Sequence, residues 1–265
     1  MKLPFAQIDA FADRPFAGNP AAVIPLDAWL DDATLQAIAM ENNLSETAFF
    51  LPDATGTAAF ELRWFTPTTE VALCGHATLA SGHYVLSADP ARDGVTFRTR
   101  RAGVLEVRRD GDGYAMALPA WAPAPRALDA VVAALGTDGV VETLWHPGRY
   151  ALVVLDGADR IRALAPDFAR LRGEGDVLTI VTAPGDDSDV ISRVFAPGAG
   201  IDEDPVTGSA HAVMVPYWAK RLGRARFTAY QASARGGRLA CTLDGERVIL
   251  GGRCVTTVEG SFLLS

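Results

Sequence analysis

The stretch that decides the fold reads EVALCGHATLA and spans residues 70–80. It begins as an apolar run typical of a strand, turns at Gly75 and His76, and continues into small residues that favour a helix. Glycine allows the tight turn, and the first N–H groups of the new helix stay free to bind an anion, which the helix dipole also favours. The stretch therefore predicts a strand, a turn and a helix whose first turn can bind the carboxylate of a small molecule.

The same arrangement occurs a second time, in the stretch EDPVTGSAHAV at residues 203–213. An Arg-x-Phe-x-Pro motif precedes both stretches and begins at Arg63 and at Arg193. Downstream, residues 101–105 resemble residues 235–239, and the matching segments keep a nearly constant spacing. We interpret the chain as two related halves, each with one helix N-terminus, and expect a cleft between them that holds one small acid.

Composition favours small-molecule partners. The net charge is −8 and the pI is near 5.0, whereas a surface for nucleic acid or an anionic membrane requires positive charge. Polar residues and proline interrupt the start of the chain where a signal peptide needs an apolar core, and no apolar run approaches the roughly 18 residues of a membrane span. The three cysteines form no C-x-x-C pair, which favours a reducing compartment. We therefore expect a cytoplasmic protein with no nucleic-acid or membrane partner.

The residue content also argues against most cofactor chemistry. Lys2 and Lys220 are the two lysines, so a buried lysine for pyridoxal phosphate is hardly available. The four histidines form no H-E-x-x-H motif, which argues against a metal hydrolase, and P-loop and G-x-S-x-G motifs are missing from the sequence. We therefore expect proton transfer without a cofactor or a metal.

The clearest linker reads PAWAPAP at residues 119–125. A chain of 265 residues with 49% hydrophobic content can bury two medium cores. We place the boundary at the linker, with residues 1–118 as the N-terminal half and residues 119–254 as the related C-terminal half. The last strand, at about residues 255–265, is expected to join the N-terminal half.

Two local patterns give further predictions. Residues 97–107 alternate as one strand, and residues 114–118 as the next strand after an Asp-Gly hairpin. Pro216 falls inside the helix that begins near Ser209, so it should kink this helix or mark its early end.

Glu46 lies in the strand-like segment at residues 44–50. Residues two apart on a strand share a face, so this carboxyl group lines up with apolar neighbours such as Phe50. An ionised carboxylate in an apolar row is costly unless it is paired, which makes Glu46 a candidate for proton transfer. The alternative is that Glu46 ends its strand in water.

Three further polar residues lie at the two glycine turns. They are His76, Asp204 and Ser209, and each one alone has an ordinary structural explanation as a turn or helix-start residue. Their joint placement at matched turns makes them candidates for assisting Glu46. The helix dipole should lower the pKa of His76 and keep its imidazole neutral.

Several motifs occur in the order found in one known family. They are DAF at residues 9–11, GNPAAV at 18–23, NLSETAF at 43–49, FTP at 65–67, CGHAT at 74–78, EDPVTGSA at 203–210 and RGG at 235–237. Through these motifs the sequence resembles the PhzF-like isomerases of phenazine biosynthesis, within the diaminopimelate epimerase-like fold group. The resemblance implies an α+β fold of two similar domains, each a mostly antiparallel sheet wrapped around a central helix. It also implies an active site in the cleft between the domains, and a homodimer.

The resemblance assigns roles to individual residues. Glu46 stands at the position of the general acid/base, and His76, Asp204 and Ser209 line the site. The residues assigned to substrate binding are Gly75, Gly208, Asn19 and Thr207. The implied reaction is a cofactor-independent isomerisation of a small carboxylate-bearing substrate.

Two alternatives stay open. Diaminopimelate epimerase and proline racemase, which belong to the wider fold group, use two opposing thiols, one at each turn. This chain has Cys74 at the first turn, but Pro205 stands where we align the second thiol, which disfavours a racemase with two thiols. A racemase that pairs Cys74 with another group stays possible. The other alternative is a ligand-binding protein of the same fold without turnover.

Overall fold

The structure, a computed structural model, describes residues 1–264 of the chain, which divide into two units. Unit 1 contains residues 1–117 together with the C-terminal segment from Gly251, and unit 2 contains Leu118–Leu250. Both units combine helices with largely antiparallel strands, so the predicted α+β class is confirmed. Among the described residues, no helix has the length and apolar character needed to span a membrane.

The first part of the chain places several strands before and after a long helix. These elements are β1 (Lys2–Ala10), β2 (Asn19–Pro25), α1 (Asp32–Asn42), β3 (Glu46–Pro52), β4 (Phe60–Phe65), β5 (Glu70–Val71), α2 (Gly75–Ala88), β6 (Gly94–Thr99), β7 (Val104–Asp110) and β8 (Gly113–Pro119). The second part adds three short helices and a second long one. Its elements are β9 (Ala124–Pro125), α3 (Asp129–Leu135), β10 (Val140–His146), β11 (Tyr150–Leu155), α4 (Ala158–Ala163), α5 (Phe168–Gly173), β12 (Leu178–Pro184), β13 (Val190–Ala196), β14 (Ile201–Asp204), α6 (Gly208–Leu222), β15 (Arg226–Gln231), β16 (Gly237–Asp244) and β17 (Arg247–Gly252). The last strand, β18 (Cys254–Leu263), returns to unit 1.

Local chemistry fixes where α1 begins and ends. The side chain of Asp31 accepts a hydrogen bond of 2.9 Å from the backbone N–H of Thr34, which caps the helix start. Asn43 ends the helix in the left-handed conformation at φ 49°, which asparagine tolerates better than most residues.

The segment at residues 97–107 is not one strand, so that prediction is wrong. The chain turns between β6 and β7 at Gly103, whose φ of 73° is easily reached only by glycine. The N–H of Thr99 donates to the carbonyl oxygen of Gly103 at 2.9 Å and closes the turn. Alternation of residue types continues across this turn, which is why the pattern read as one long strand.

Unit 1 arranges its strands around α2. β18 pairs with β1 and β1 with β2, both antiparallel, β2 pairs parallel with β3, and β3 pairs antiparallel with β4. β4 then pairs antiparallel with the short β5 and parallel with β6, and β6, β7 and β8 follow antiparallel. α2 packs against β1, β2, β3, β6 and β7. A Cβ atom on Gly82 would lie 2.4 Å from a methyl group of Val107, so glycine is what lets α2 approach β7.

Unit 2 repeats this pairing order. β10 pairs antiparallel with β11, β11 parallel with β12, and β12 antiparallel with β13. β13 then pairs antiparallel with β14 and parallel with β15, and β15 pairs antiparallel with β16. Strands β10 to β16 thus correspond in order to β1 to β7, and α6 corresponds to α2. The same succession of parallel and antiparallel pairs in both units agrees with the predicted two-domain fold.

Both units contain the same partly buried ion pair next to the strand before their long helix. Arg63 donates to both carboxylate oxygens of Glu70 at 2.8 and 2.9 Å, and Arg193 donates in the same way to Glu203 at 2.7 and 2.8 Å. Each arginine also lies over the phenylalanine two residues later, at 4.9 Å for Phe65 and 5.1 Å for Phe195. The repeated Arg-x-Phe motif therefore fixes the strand that leads into each helix.

Pro216 does not end its helix, because α6 continues to Leu222. Proline has no N–H, so the carbonyl group of Ala212, one turn earlier, lacks its usual helical donor. The N–H of Trp121 supplies that bond at 2.9 Å. The prediction of an early helix end is therefore wrong, and the proline instead provides an attachment point for the segment around Trp121.

Candidate active site

Both long helices begin without a side-chain cap. The N-cap residues are Cys74 for α2 and Thr207 for α6, and neither side chain accepts a hydrogen bond from the first turn among the described residues. By contrast, Asp31 caps α1 and Asp167 caps α5. An uncapped helix start leaves N–H groups free for a ligand, as the two glycine turns predict.

Glu46 and His76 meet in unit 1. Glu46 is the first residue of β3 and His76 the second residue of α2, and the carboxylate Oε2 lies 3.1 Å from the imidazole Nε2. The side chains are 14% and 4% exposed, so Glu46 does not end its strand in water. Both atoms are buried, and their contact does not have the geometry of a hydrogen bond. The contact is therefore mainly electrostatic, between a carboxylate and an imidazole that share one buried space.

The expected lowering of the His76 pKa is wrong. Burial lowers the pKa of His76, but the interactions of the ring with Cys74 and Glu46 outweigh burial and raise that pKa well above 6.5. Burial, with the nearby Glu46, in turn raises the pKa of Cys74 to about 11, so this thiol is protonated at neutral pH. Glu46 is thus the charge that favours the imidazolium form. The helix dipole at the start of α2 is weaker than an anion in direct contact.

Asn19 contacts the other nitrogen of the same ring. It is the first residue of β2, and its amide nitrogen lies 3.2 Å from Nδ1 of His76. If the Asn19 amide nitrogen donates, Nδ1 of His76 is the acceptor. The neutral ring then carries its proton on Nε2, which faces Glu46. A doubly protonated ring requires the amide of Asn19 to turn its oxygen to Nδ1. The orientation of Asn19 is therefore coupled to the protonation of His76.

Cys74 completes this group in unit 1. Its sulfur lies 3.5 Å from Nδ1 of His76, and ligand atoms of Glu46, Cys74 and His76 all lie within 4.8 Å of one another. One metal ion can bridge such a group in principle, but a cysteine binds metal as the thiolate. A raised thiol pKa opposes that form. The predicted Gly75 follows as the first residue of α2.

Asp204 and Thr207 are held together in unit 2 by a residue that sequence reasoning missed. The hydroxyl of Thr207 donates to the Asp204 carboxylate. The fully buried Gln231 donates to the Asp204 carbonyl at 2.7 Å and accepts from the Thr207 N–H at 2.9 Å. This amide thus fixes the turn between β14 and α6. Gln231 lies 24 residues after Thr207 at the end of β15, and no local pattern linked the two.

Ser209 is the second residue of α6, after Gly208, as His76 is the second residue of α2 after Gly75. Burial raises the pKa of Tyr150, the first residue of β11, and the nearby hydroxyl of Ser209 partly opposes the rise. Tyr150 was also missed, although it follows a Pro-Gly turn and heads a strand, as Asn19 does.

His211 lies one turn into α6 and is fully buried. Its Nδ1 lies 2.8 Å from the carbonyl oxygen of Thr207 and donates to it, while Nε2 has no hydrogen-bond partner among the described residues. Burial lowers the pKa of His211 to about 4, so the ring is neutral at neutral pH. The pKa values of the two buried histidines are therefore shifted in opposite directions.

The predicted residues thus form one group in each unit. Unit 1 brings together Glu46, His76, Asn19 and Gly75, and unit 2 brings together Asp204, Thr207, Gly208 and Ser209. In unit 1 the chemistry is a carboxylate beside an imidazole. In unit 2 it consists of a carboxylate, two hydroxyls and an uncapped helix start.

Comparison with known proteins identifies the family and the fold of the chain. The family model for phenazine biosynthesis-like proteins, PhzC-PhzF, matches residues 8–260. An uncharacterized isomerase of Pseudomonas aeruginosa is 50% identical over 266 residues, covering 100% of both chains. The crystal structure of a PhzF-family phenazine biosynthesis protein from Enterococcus faecalis has a TM-score of 0.91 and 42% identity, covering 100% of both chains.

A more distant structure matches in fold alone. The hydroxyproline epimerase of Agrobacterium vitis has a TM-score of 0.66 at 12% identity, covering 98% of this chain and 92% of that one. The two-domain epimerase-like fold is therefore shared well beyond sequence similarity. On the family match and on its relatives, the chain belongs to the PhzC/PhzF family of phenazine biosynthesis-like proteins, whose relatives here include isomerases.

Proposed function

We propose that this protein is a cofactor-independent isomerase that moves a proton on a small carboxylate-bearing substrate, with Glu46 as the general acid/base. The observation that carries the proposal is the buried contact of 3.1 Å between the Glu46 carboxylate and Nε2 of His76. A carboxylate in a largely water-excluded space, next to a group that can hold or give a proton, suits repeated proton transfer.

The reaction would proceed by removal and return of one proton. Glu46 takes the proton from a carbon next to an activating group and gives it back at another carbon of the same conjugated system. His76 stabilises the ionised form of Glu46 before the transfer, because its pKa is raised by negative charge that includes this carboxylate. Asn19 holds the ring through its contact with Nδ1.

The residues of unit 2 would bind the substrate and assist. The free N–H groups at the start of α6, around Gly208, suit the carboxylate of the substrate, as do those around Gly75 at the start of α2. Ser209 and Asp204 offer hydrogen bonds to polar groups of the substrate, and Thr207 keeps Asp204 in place.

The chemistry of Cys74 argues against the racemase alternative. A base must be deprotonated, and burial with the nearby Glu46 raises the pKa of the Cys74 thiol to about 11. The residue that corresponds to Cys74 in unit 2 is Thr207, the N-cap of α6, and not Pro205 as aligned from sequence. A threonine hydroxyl does not replace a thiolate as a base.

The test is exchange of substrate protons with solvent. A panel of small unsaturated acids is incubated with the protein in D2O, and deuterium uptake is followed by NMR. Glu46→Gln should abolish uptake while the acids still bind, because the amide keeps the shape and loses the base. Glu41→Gln changes an exposed glutamate of α1 and should leave uptake unchanged.

Other outcomes distinguish the alternatives. Uptake that persists in Glu46→Gln and disappears in Cys74→Ser would replace this proposal with the racemase. Tight binding without any uptake in the wild-type protein would indicate a ligand-binding protein of the same fold.

A further inference from the structure

Each of the two long helices has a side-chain donor on the carbonyl group of its N-cap residue. In α2 the hydroxyl of Thr78 donates to the carbonyl oxygen of Cys74 at 2.6 Å. In α6, Nδ1 of His211 donates to the carbonyl oxygen of Thr207 at 2.8 Å. Thr78 and His211 are the fourth residues of their helices, and both are fully buried. The two donors therefore occupy equivalent positions in the two units.

The helices that have side-chain caps, α1 and α5, show the opposite arrangement. Their N-cap carbonyl groups accept the backbone N–H groups of Leu35 and Leu171 at 3.1 and 3.0 Å, and a leucine side chain offers no donor. The equivalent backbone bonds of Thr78 and His211 are longer, at 3.2 and 3.3 Å. In α2 and α6 the shorter bond to the N-cap carbonyl thus comes from a side chain.

His211 makes this bond at a cost that Thr78 does not have. A hydroxyl group in a helix commonly bonds the carbonyl one turn earlier, as Ser81 does with Ala77 in α2 at 2.8 Å. The His211 ring makes the same bond but buries Nε2, which has no hydrogen-bond partner among the described residues, and an unpaired buried polar group lowers stability. The two units therefore share the bond to the N-cap carbonyl and differ in the residue that makes it.

This bond fixes the peptide group that leads into each helix glycine. The described peptide bonds are all trans, so the carbonyl of Thr207 and the N–H of Gly208 point in opposite directions in one plane. Glycine accepts many values of φ, so this peptide group could otherwise rotate. While His211 holds the carbonyl toward the helix, the N–H of Gly208 points away from the helix. Thr78 has the same effect on the N–H of Gly75.

Gln231 holds the other side of Thr207. The N–H of Thr207 donates to Oε1 of Gln231 at 2.9 Å, which fixes the peptide group before Thr207. The hydroxyl of Thr207 is also engaged, because it donates to the Asp204 carboxylate. Rotation of the peptide group between Thr207 and Gly208 is thus the freedom that His211 removes.

We propose that Thr78 and His211 are positioning residues that lock the peptide groups before Gly75 and Gly208 in the orientation that binds the substrate carboxylate. The proposal rests on the proposed function, since it takes the N–H groups of these two glycines to bind the acid. Neither side chain has to touch the substrate. Loss of one donor should release the peptide group in its own unit and leave the other unit's peptide group in place.

The first test measures peptide motion without a ligand, by nitrogen-15 relaxation dispersion of the glycine amides. Threonine and valine have nearly the same shape, so His211→Thr and His211→Val leave the same space and differ in the hydroxyl donor. His211→Val should show exchange at Gly208 and not at Gly75, and Thr78→Val should show the reverse. His211→Thr should resemble the wild-type protein. Ser81→Ala, which removes the same kind of bond one turn further into α2, should leave both glycines unchanged.

The second test measures deuterium uptake by the unsaturated acids. His211→Val should lower the initial rate roughly threefold to tenfold, the size expected for one hydrogen bond, and His211→Thr should restore most of it. A merely structural role would give both variants the same loss. Because Thr78→Val conserves the packing volume, it gives the same test in unit 1 even where the His211 variants do not fold.

The two tests separate failure of the lock from failure of the proposed function. Absence of exchange at Gly208 in His211→Val, or equal losses of uptake in His211→Thr and His211→Val, would overturn the lock. Exchange at the expected glycines, together with a wild-type protein that neither binds the acids nor takes up deuterium, would support the lock and overturn the proposed function.

Discussion

Replacing Arg63 by methionine should destabilise unit 1 far more than replacing a surface arginine. Arg63 is 1% exposed and donates to both oxygens of Glu70 and to Asp32, with hydrogen bonds between 2.8 and 2.9 Å. Methionine keeps much of the apolar volume between the rings of Trp29 and Phe65. It leaves the Glu70 carboxylate, which is 26% exposed, without its main partner.

The expected cost follows from this burial. Removing one member of a buried ion pair costs about 3–5 kcal/mol, because the other charge stays buried without compensation. Glu70 keeps a partly exposed position and a second contact of 3.3 Å with Arg100, which places the cost near the lower end, at about 3 kcal/mol. Arg63→Met combined with Glu70→Met removes both charges, so the double variant should recover about 1–2 kcal/mol of that loss.

The measurement is urea unfolding followed by circular dichroism, with hydrogen exchange of peptides from β5 and the start of α2 to localise the effect. Arg108→Met is the matched control, because Arg108 is 66% exposed and solvent screens its surface pair with Glu106, so that pair should contribute little to stability. An Arg63→Met variant as stable as the control would refute the reasoning. So would a double variant no more stable than Arg63→Met.

Four further predictions concern three titrating groups. Glu46→Gln should lower the pKa of His76, observed by nitrogen-15 NMR of the ring, because burial then acts without the carboxylate; a pKa that does not move would mean that Glu46 does not control this ring. Since the folded-state pKa of His76 is raised, the protonated ring stabilises the fold fully below pH 6.5, and this stabilisation is lost as pH rises through the folded-state pKa. Glu46→Gln should reduce this pH-dependent loss, measured as the free energy of unfolding in urea at several pH values. His211 has the opposite sign, because its folded-state pKa is lowered to about 4, so it should destabilise the folded chain as pH falls from 6.5 toward 4, and His211→Asn should weaken that dependence. Cys74 should react with iodoacetamide at neutral pH much more slowly than after unfolding in urea, since its pKa is raised to about 11, and rapid labelling of the folded protein would contradict the buried thiol.

The two glycine turns could be predicted because their signal is local. In each, a strand, a glycine and a run of small residues follow one another within a dozen positions, and local geometry alone then places the helix start. The repetition of Arg63 and Arg193 ahead of these turns predicted a duplicated fold, since one motif at two places requires the same local structure. The placement of Glu46 on an apolar strand face followed from strand periodicity.

Contacts between distant segments could not be predicted. Gln231 fixes the turn at Thr207 from the end of another strand, 24 residues further along the chain. The charge of His76 depends on a carboxylate thirty positions away, so a rule about helix dipoles gave the wrong sign. The early helix end expected at Pro216 was wrong for the same reason, because the donor that satisfies the freed carbonyl lies outside the helix.

The two units keep the same scaffold but differ at the positions that carry chemistry. The ion pairs Arg63–Glu70 and Arg193–Glu203 are equivalent, whereas His76 corresponds to Ser209 and Cys74 to Thr207. Glu46 heads β3, and the residue that heads β12 is Leu178.

Inversion at one carbon requires a base on one face and an acid on the other, and a duplicated fold could supply them from equivalent positions. Here the position equivalent to Glu46 is an aliphatic side chain and the position equivalent to Cys74 is a hydroxyl held by Asp204. The duplication therefore supplies two uncapped helix starts but one carboxylate of the Glu46 type. This asymmetry is what the proposed isomerase requires, since that proposal uses one carboxylic base and not two equivalent bases.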